Sequence, residues 1–207
     1  MFPKQLGGFT MSNKVQKMVS VSMFAAMGLV MQFVAFPILP VFPLLTIDFS
    51  DIPVLLSMFL YGPMAGVATA FLRSVLHTIT TGLSPQNLVG DVASFLATTV
   101  FTLPIYYIFR RGTSPLNKFL GMVTGVLSMS LVLSIANYFV ITPLYLMFFG
   151  VTADQFLGMS LANYIVVGIL PFNLIKGTMV SLVFLALHAK LLPWLAKKQH
   201  FSQNQSF

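Results

Sequence analysis

Residues 119–149, FLGMVTGVLSMSLVLSIANYFVITPLYLMFF, decide the fold class because they contain no charged side chain. A helix needs roughly 20 apolar residues to cross the hydrocarbon core of a bilayer, and this run is longer. Four other apolar runs occupy about 19–36, 50–79, 86–109 and 156–187. Over the 207 residues, 57% are hydrophobic and 7% are charged, against about 25% charged in a soluble domain. The sequence predicts an all-α integral membrane protein.

The composition and the missing motifs exclude several classes of protein. The chain has no cysteine, which excludes disulfides, iron–sulfur clusters, thiolate metal sites and a cysteine nucleophile. It has no G-x-x-x-x-G-K-[ST], H-E-x-x-H or G-x-S-x-G motif. We therefore predict that the chain is not an enzyme, needs no cofactor and does not hydrolyse ATP itself.

The basic residues between the apolar runs orient the chain. The net charge is +7, and most of the 11 basic residues lie in three clusters: Lys4, Lys14 and Lys17; Arg110, Arg111 and Lys118; Lys190, Lys197 and Lys198. The positive-inside rule places all three clusters on the cytoplasmic side. This placement explains the positive charge as a topology signal, so nucleic acid is not expected as a partner. Because the first two clusters lie on the same side, the chain must cross the membrane an even number of times between them.

The run 50–79 must contain two helices for that count to be even. Tyr61-Gly62-Pro63 interrupts the run, and Gly-Pro is a strong helix breaker. The result is six transmembrane helices with both termini in the cytoplasm. The helix from Ser50 to Tyr61 is only about 18 Å long, which is too short for a ~30 Å core and leaves a recess at one end.

Phe36 to Ile47 is predicted to be a long apolar loop between helices 1 and 2, because it contains Pro37, Pro40 and Pro43. Backbone outside a helix is tolerated at membrane depth only where it packs against protein or lines a cavity. We expect this loop to fold over the recess from the outer side.

One membrane domain is predicted for residues 14–198, between flexible segments 1–13 and 199–207. The first apolar run is interpreted as a helix rather than a signal peptide. It is too long, and no small-x-small cleavage site is followed by a polar segment.

Polar side chains inside the apolar runs are the candidate functional groups, because ionisable residues in a bilayer are costly. Asn173 and Lys176 are three residues apart and share one helix face. In the six-helix topology, other polar residues converge on the same outer half: Asp48, Asn87, Asp91 and Asn137. Amides, an ammonium group and carboxylates among Phe and Met side chains suit a small organic solute with a flat apolar part.

Two of these residues have structural alternatives that the sequence leaves open. Lys176 could pair with Asp91 or with a backbone carbonyl instead of a ligand. Asn137 could simply join two helices by a hydrogen bond.

For Asp51 and Arg73 a structural role is favoured, and His77 gives only a weak functional signal. Asp51 follows Ser50 at a helix start, where capping and the helix dipole account for it. Arg73 is expected to form a salt link to an acid. His77 with Asp91 could form a metal or acid–base pair, although two residues are a weak signal.

Four motifs resemble the substrate-binding subunits (S components) of energy-coupling factor (ECF) vitamin transporters, and more specifically the riboflavin-specific branch. The motifs are Leu45-Thr46-Ile47-Asp48-Phe49-Ser50-Asp51-Ile52-Pro53, Tyr61-Gly62-Pro63-Met64-Ala65-Gly66, Leu88-Val89-Gly90-Asp91 and Asn173-Leu174-Ile175-Lys176-Gly177. The resemblance covers about 14–195. It implies a six-helix fold, a substrate site near the outer face, and a first loop that closes over the vitamin.

The resemblance also implies which residues contact riboflavin. Asn137 on the fifth helix and Asn173 and Lys176 on the sixth would hydrogen-bond it. The remaining positions near the ligand would be Leu45, Thr46, Asp48, Asn87, Gly90 and Asp91. An amide can mirror the donors and acceptors along the isoalloxazine edge, and the ribityl hydroxyls suit Lys176 and Asp48.

Partners follow from the same resemblance. In the family, small residues on the first helix dock a transmembrane coupling subunit, and the corresponding residues here are Ser22, Ala25 and Ala26. Import would require that coupling subunit and two ABC-type ATPases in a bacterial plasma membrane.

Other functions stay open at this point. The chain could be an S component for another vitamin, such as thiamine or pantothenate. It could be a self-sufficient proton-coupled carrier that uses Asp91 or Lys176. It could also be an intramembrane enzyme built on His77 and Asp91, which would turn over a substrate.

Overall fold

A computed structural model describes residues 13–40, 42, 45–112 and 114–203 as a helical bundle. Its helices are α1 (Asn13–Phe33), α2 (Asp51–Tyr61), α3 (Pro63–Thr81), α4 (Pro85–Arg111), α5 (Pro115–Ala136), α6 (Thr142–Phe149), α7 (Ala153–Leu157), α8 (Leu161–Tyr164) and α9 (Leu170–Gln203). Two π-helical turns, Asn137–Ile141 and Ile165–Ile169, join α5 to α6 and α8 to α9. Strands β1 (Phe36–Pro37) and β2 (Thr46–Ile47) pair antiparallel, with Phe36 opposite Ile47.

The predicted split of the second apolar run is confirmed. α2 ends at Tyr61, Gly62 takes a φ of 96°, and Pro63 occupies the first turn of α3. Glycine tolerates that φ, and proline suits a first helical turn because its missing N–H would have no helical partner there. The connection of a single residue turns the chain back, so that α2 and α3 run antiparallel.

Three helical segments are long and apolar enough to cross a membrane: 85–111, 115–149 and 161–190. Shorter apolar helices cover 17–33 and 51–61. The long segments make this a helical membrane protein. The count of six crossings and the cytoplasmic position of both ends remain predictions.

The last predicted helix, 156–187, differs most from the structure. α7 is a separate helix that ends at Leu157 and is followed by Gly158, whose φ of 68° is left-handed. Ser160 then caps α8, accepting a hydrogen bond from the Asn163 N–H. α9 continues to Gln203, into the segment predicted to be flexible, whereas residues 1–12 of the predicted N-terminal segment lie outside the described residues.

Glycine lets α4 and α5 pack closely against each other. A Cβ atom on Gly125 would lie 2.7 Å from the Phe101 carbonyl oxygen and 2.6 Å from Ile105 Cγ1. Only a residue without Cβ fits at this distance. Ile105, Phe109 and Phe184 belong to the buried apolar core that α2, α4, α5 and α9 share.

The loop between α1 and α2 packs against α8 and the π turn that follows it. Where it is described it is not helical, and the β1–β2 pair folds it back on itself. The Phe42 ring packs edge-to-face on Tyr164 with centroids 5.3 Å apart. Leu45 packs on the same buried cluster of Tyr164, Ile165 and Ile169. Residues 41, 43 and 44, including one of the three prolines, lie outside the described residues.

Candidate functional site

A cavity of about 420 Å³, here called the polar cavity, opens at the end of the bundle where α3 ends and α4 begins. All nine residues that the sequence analysis assigned to a ligand line it: Leu45, Thr46, Asp48, Asn87, Gly90, Asp91, Asn137, Asn173 and Lys176. The loop before α2, the first turns of α4, a π turn and α9 supply them. The volume lies within the roughly 300–1,000 Å³ typical of small-molecule sites.

Lys176 is held by Asp48, which lies 128 positions away in the sequence. Lys176 Nζ donates to Asp48 Oδ2 at 2.9 Å. Asp48 Oδ1 accepts from the Ser50 N–H at 2.9 Å and from the Ser50 hydroxyl. Burial raises the pKa of Asp48, but the Lys176 charge and the hydrogen bonds from Lys176 and Ser50 outweigh it and lower that pKa to about 2. Lys176 thus pairs with Asp48, and not with Asp91 as the structural alternative supposed.

Arg73 connects three elements beneath the polar cavity. Its side chain is fully buried, and Nη1 donates to Ser50 Oγ at 2.7 Å and lies 3.3 Å from Asp51 Oδ1. Nη2 donates to Ser94 at 2.9 Å and to Thr98 at 2.7 Å. The predicted salt link from Arg73 to an acid is confirmed. It holds the start of α2 against α3 and α4.

His77 on α3 and Asp91 on α4 lie close together in the lining of the polar cavity. His77 Nδ1 and Asp91 Oδ1 are 2.6 Å apart, and the Thr78 hydroxyl donates to Asp91 Oδ2 at 2.5 Å. In the described part of the chain, no third His, Cys, Asp or Glu joins them in a group that could hold a metal ion.

The amides of the π-turn region are oriented by their own helices. Asn137 Nδ2 donates to the Leu133 carbonyl at 2.8 Å, and its Oδ1 accepts from Thr142 at 3.1 Å. Asn173 is buried, and its Nδ2 donates to the Ile169 carbonyl at 2.8 Å. These bonds fix which atoms of each amide face the polar cavity.

A proline follows each π turn. Pro143 and Pro171 would clash with the carbonyl four residues earlier in a regular α-helix, which is Phe139 or Val167. Both of those residues lie inside the π turns, where the wider hydrogen-bond spacing accommodates the ring. Such turns are frequent at functional sites.

Asn87 and Gly90 shape the wall that α4 contributes. Asn87 Nδ2 donates to the carbonyls of Thr81 at 3.2 Å and Gly82 at 3.0 Å, so it also closes the α3–α4 turn. A Cβ atom on Gly90 would lie 2.7 Å from the Tyr145 hydroxyl, so glycine lets Tyr145 approach α4.

The three predicted docking residues on α1 divide between two environments. Ser22 and Ala26, one helical turn apart, are exposed. Ala25 is fully buried in the bundle. Packing inside this chain already uses Ala25, so of the three residues only Ser22 and Ala26 are exposed to a partner.

Sequence reasoning missed other residues that line the polar cavity, among them Gln32, Met129, Tyr145 and Phe172. Tyr145 could have been found, because it follows Asn137 by about two helical turns and so shares its face. Met129 and Phe172 give no such signal, since one apolar residue among many in an apolar helix is not distinctive.

A family model described as "ECF transporter, substrate-specific component" matches residues 16–188. The chain belongs to this family. It is a substrate-binding component of a transporter and not an enzyme, which removes the enzyme alternative built on His77 and Asp91.

The sequences of individual relatives match most of the chain. The chain is 36% identical over 186 residues to "Riboflavin transporter FmnP" of Bacillus subtilis (strain 168), covering 90% of this chain and 97% of that protein. It is 39% identical over 182 residues to "Riboflavin transporter RibU" of Staphylococcus aureus (strain TCH60), covering 88% and 93%. A solved structure described as "Structure and mechanism of the S component of a bacterial ECF transporter" superposes with a TM-score of 0.73 at 37% identity. It covers 88% of this chain and 99% of that one.

Proposed function

We propose that this protein is the riboflavin-binding S component of an ATP-driven ECF importer and that the polar cavity holds the vitamin. The observation that carries the proposal is the gathering around one cavity of nine residues that the polar pattern and the family resemblance had indicated. The relatives named as riboflavin transporters support the choice of vitamin over thiamine or pantothenate.

The chemistry of the polar cavity suits a flavin ring. Asn173 and Asn137 present amide groups, which can match the alternating carbonyls and N–H of the isoalloxazine edge. Lys176 donates one of its three N–H groups to Asp48 in a hydrogen bond and has two left for ring oxygens. Met129 and Phe172 add apolar surface for the ring faces.

Binding from outside the cell follows from where the charges lie. α4 begins at the polar cavity and ends with Arg110 and Arg111, so these basic residues lie at the opposite end of the bundle. If that end is cytoplasmic, the polar cavity opens outwards. We place the protein as a multi-pass protein in the bacterial plasma membrane.

Import requires energy that this chain has no motif to supply. We infer that a transmembrane coupling subunit and two ABC-type ATPases provide it. Ser22 and Ala26 on the exposed face of α1 allow close helix–helix approach and are the proposed docking positions.

Riboflavin titration of the detergent-purified protein, with no partner added, tests the proposed ligand. Flavin emission should be quenched in a saturable, one-to-one manner, with thiamine and pantothenate failing to compete. If folded protein leaves riboflavin emission unchanged, the proposed ligand is wrong.

Uptake into vesicles separates an S component from a self-sufficient carrier. Vesicles that contain this protein alone should bind riboflavin without accumulating it, with or without a proton gradient. Accumulation driven by the gradient would contradict the S-component proposal and favour the carrier.

A further inference from the structure

Gln32 is a polar residue in an apolar stretch of sequence, and it lines the polar cavity from α1. It is the only polar side chain between Ser22 and Thr46. The residue lies one position before the end of α1 at Phe33. An amide is costly to bury in an apolar environment unless a hydrogen bond compensates for the lost water. The hydrogen bonds of this amide therefore need an account.

The amide oxygen of Gln32 is buried and has no hydrogen-bond partner among the described residues. Asn137 and Asn173 differ, because each of these amides donates to the backbone carbonyl four residues earlier. A buried acceptor without a donor costs free energy, and a ligand that supplies the donor recovers it. The last torsion of a glutamine side chain is broad, so Oε1 can turn towards the polar cavity.

Riboflavin offers donors of two kinds, the ring N–H and the ribityl hydroxyls. In the proposed function the asparagine amides match the ring N–H. Asp48 was the acceptor expected for the hydroxyls, but its two oxygens already accept hydrogen bonds from Ser50 and from Lys176. Gln32 Oε1 is an acceptor to which no described residue donates. A ligand hydroxyl is therefore the donor that this oxygen suits.

We propose that Gln32 accepts a hydrogen bond from a ribityl hydroxyl of riboflavin and is a specificity-determining residue of the polar cavity. This inference rests on the proposed function, because it names a residue for one part of that ligand. Lumiflavin carries the same ring with a methyl group in place of the ribityl chain, so it cannot make this contact. Gln32 therefore contributes to the affinity for riboflavin and not to the affinity for lumiflavin.

Gln32→Met tests the inference, because methionine keeps the length of the side chain and removes the amide. In fluorescence titrations the variant should bind riboflavin about five- to tenfold more weakly, which is the loss of about one hydrogen bond. It should bind lumiflavin like wild type. The ligand-free variant should melt in detergent at the wild-type temperature or above it, because replacing an unpartnered polar atom by an apolar group is neutral or stabilising. A purely structural role of the amide predicts a lower melting temperature instead.

Val30→Ala, at an exposed position of α1, is the matched control and should bind both flavins like wild type, whereas Asn173→Ala should weaken both. The inference is overturned if Gln32→Met binds riboflavin like wild type, weakens both flavins equally, melts at a lower temperature or fails to fold. It is also overturned if the wild type binds the two flavins with equal affinity. If lumiflavin is too weak to measure, weaker riboflavin binding without a lower melting temperature supports the inference. Failure of the wild type to bind any flavin would instead refute the proposed function.

Discussion

At the scale of single residues, one ion pair lies in the polar cavity and another lies beneath it. Lys176 pairs with Asp48, and Arg73 pairs with Asp51. A lone charge buried in a membrane protein is costly, so each partner makes the other tolerable. Lys176 was recognisable from sequence because an ionisable residue is conspicuous in an apolar helix. Its partner was not, because the contact depends on how the first loop folds.

The low pKa of Asp48 predicts how stability depends on pH. The folded-state pKa of Asp48 is about 2, below the ordinary 3.8, so the ionised carboxylate stabilises the fold at pH values above 3.8. This stabilisation is lost as the pH falls towards 2. We expect Asp48→Asn to be less stable than wild type by about 2 kcal/mol at pH 7. That difference should shrink between about pH 4 and pH 2. Thermal unfolding of both proteins in detergent measures it, and a difference that stays constant down to pH 2 would contradict the assignment.

At the scale of elements, a buried arginine and two proline-linked π turns place the site. The Gly62-Pro63 break and the non-helical first loop could be predicted because glycine and proline act locally. The π turns could not, since a proline in an apolar run predicts a kink without saying which hydrogen bonds shift. Gly158 likewise separates α7 in a stretch that looks like one continuous apolar run.

Removing Arg73 should loosen the junction of α2, α3 and α4. Arg73→Met leaves Asp51 buried without its cationic partner, and we expect a loss of about 3–5 kcal/mol of stability. Arg73→Met combined with Asp51→Asn should recover part of this loss, because it removes the uncompensated charge. Melting temperatures in detergent measure both effects. Equal stability of Arg73→Met and wild type would contradict this role.

The close crossing of α4 and α5 makes a second prediction at this scale. Gly125→Ala should destabilise the bundle by roughly 1–3 kcal/mol, because the added Cβ meets the backbone of Phe101. Leu127→Ala, on the exposed face of the same helix, is the matched control and should change the melting temperature little. A stable Gly125→Ala protein would show that the helices can separate at no cost.

At the scale of the whole molecule, the polar cavity lies where α4 begins, and Arg110 and Arg111 lie at the other end of that helix. Counting the charge clusters predicts an even number of crossings without exact helix ends, and the six crossings with both ends in the cytoplasm remain a prediction. The apolar walls of the polar cavity could not be predicted, because they depend on which faces of α5 and α9 meet.

Accessibility of single cysteines tests this orientation, and the chain has no cysteine of its own. Leu83→Cys lies in the α3–α4 turn at the cavity end, and Leu116→Cys lies at the basic end; both positions are exposed. A membrane-impermeant thiol reagent added to intact cells should label the first and spare the second. The reverse pattern would place the polar cavity on the cytoplasmic side.

The central claim is that the polar cavity is where riboflavin binds. The most direct measurement is riboflavin affinity of purified Asn173→Ala beside Ile175→Ala, an exposed position two residues away on α9. We expect Asn173→Ala to lose about 1–3 kcal/mol of binding free energy, the cost of a buried hydrogen bond, while Ile175→Ala binds like wild type. Wild-type affinity in a folded Asn173→Ala protein would contradict the account.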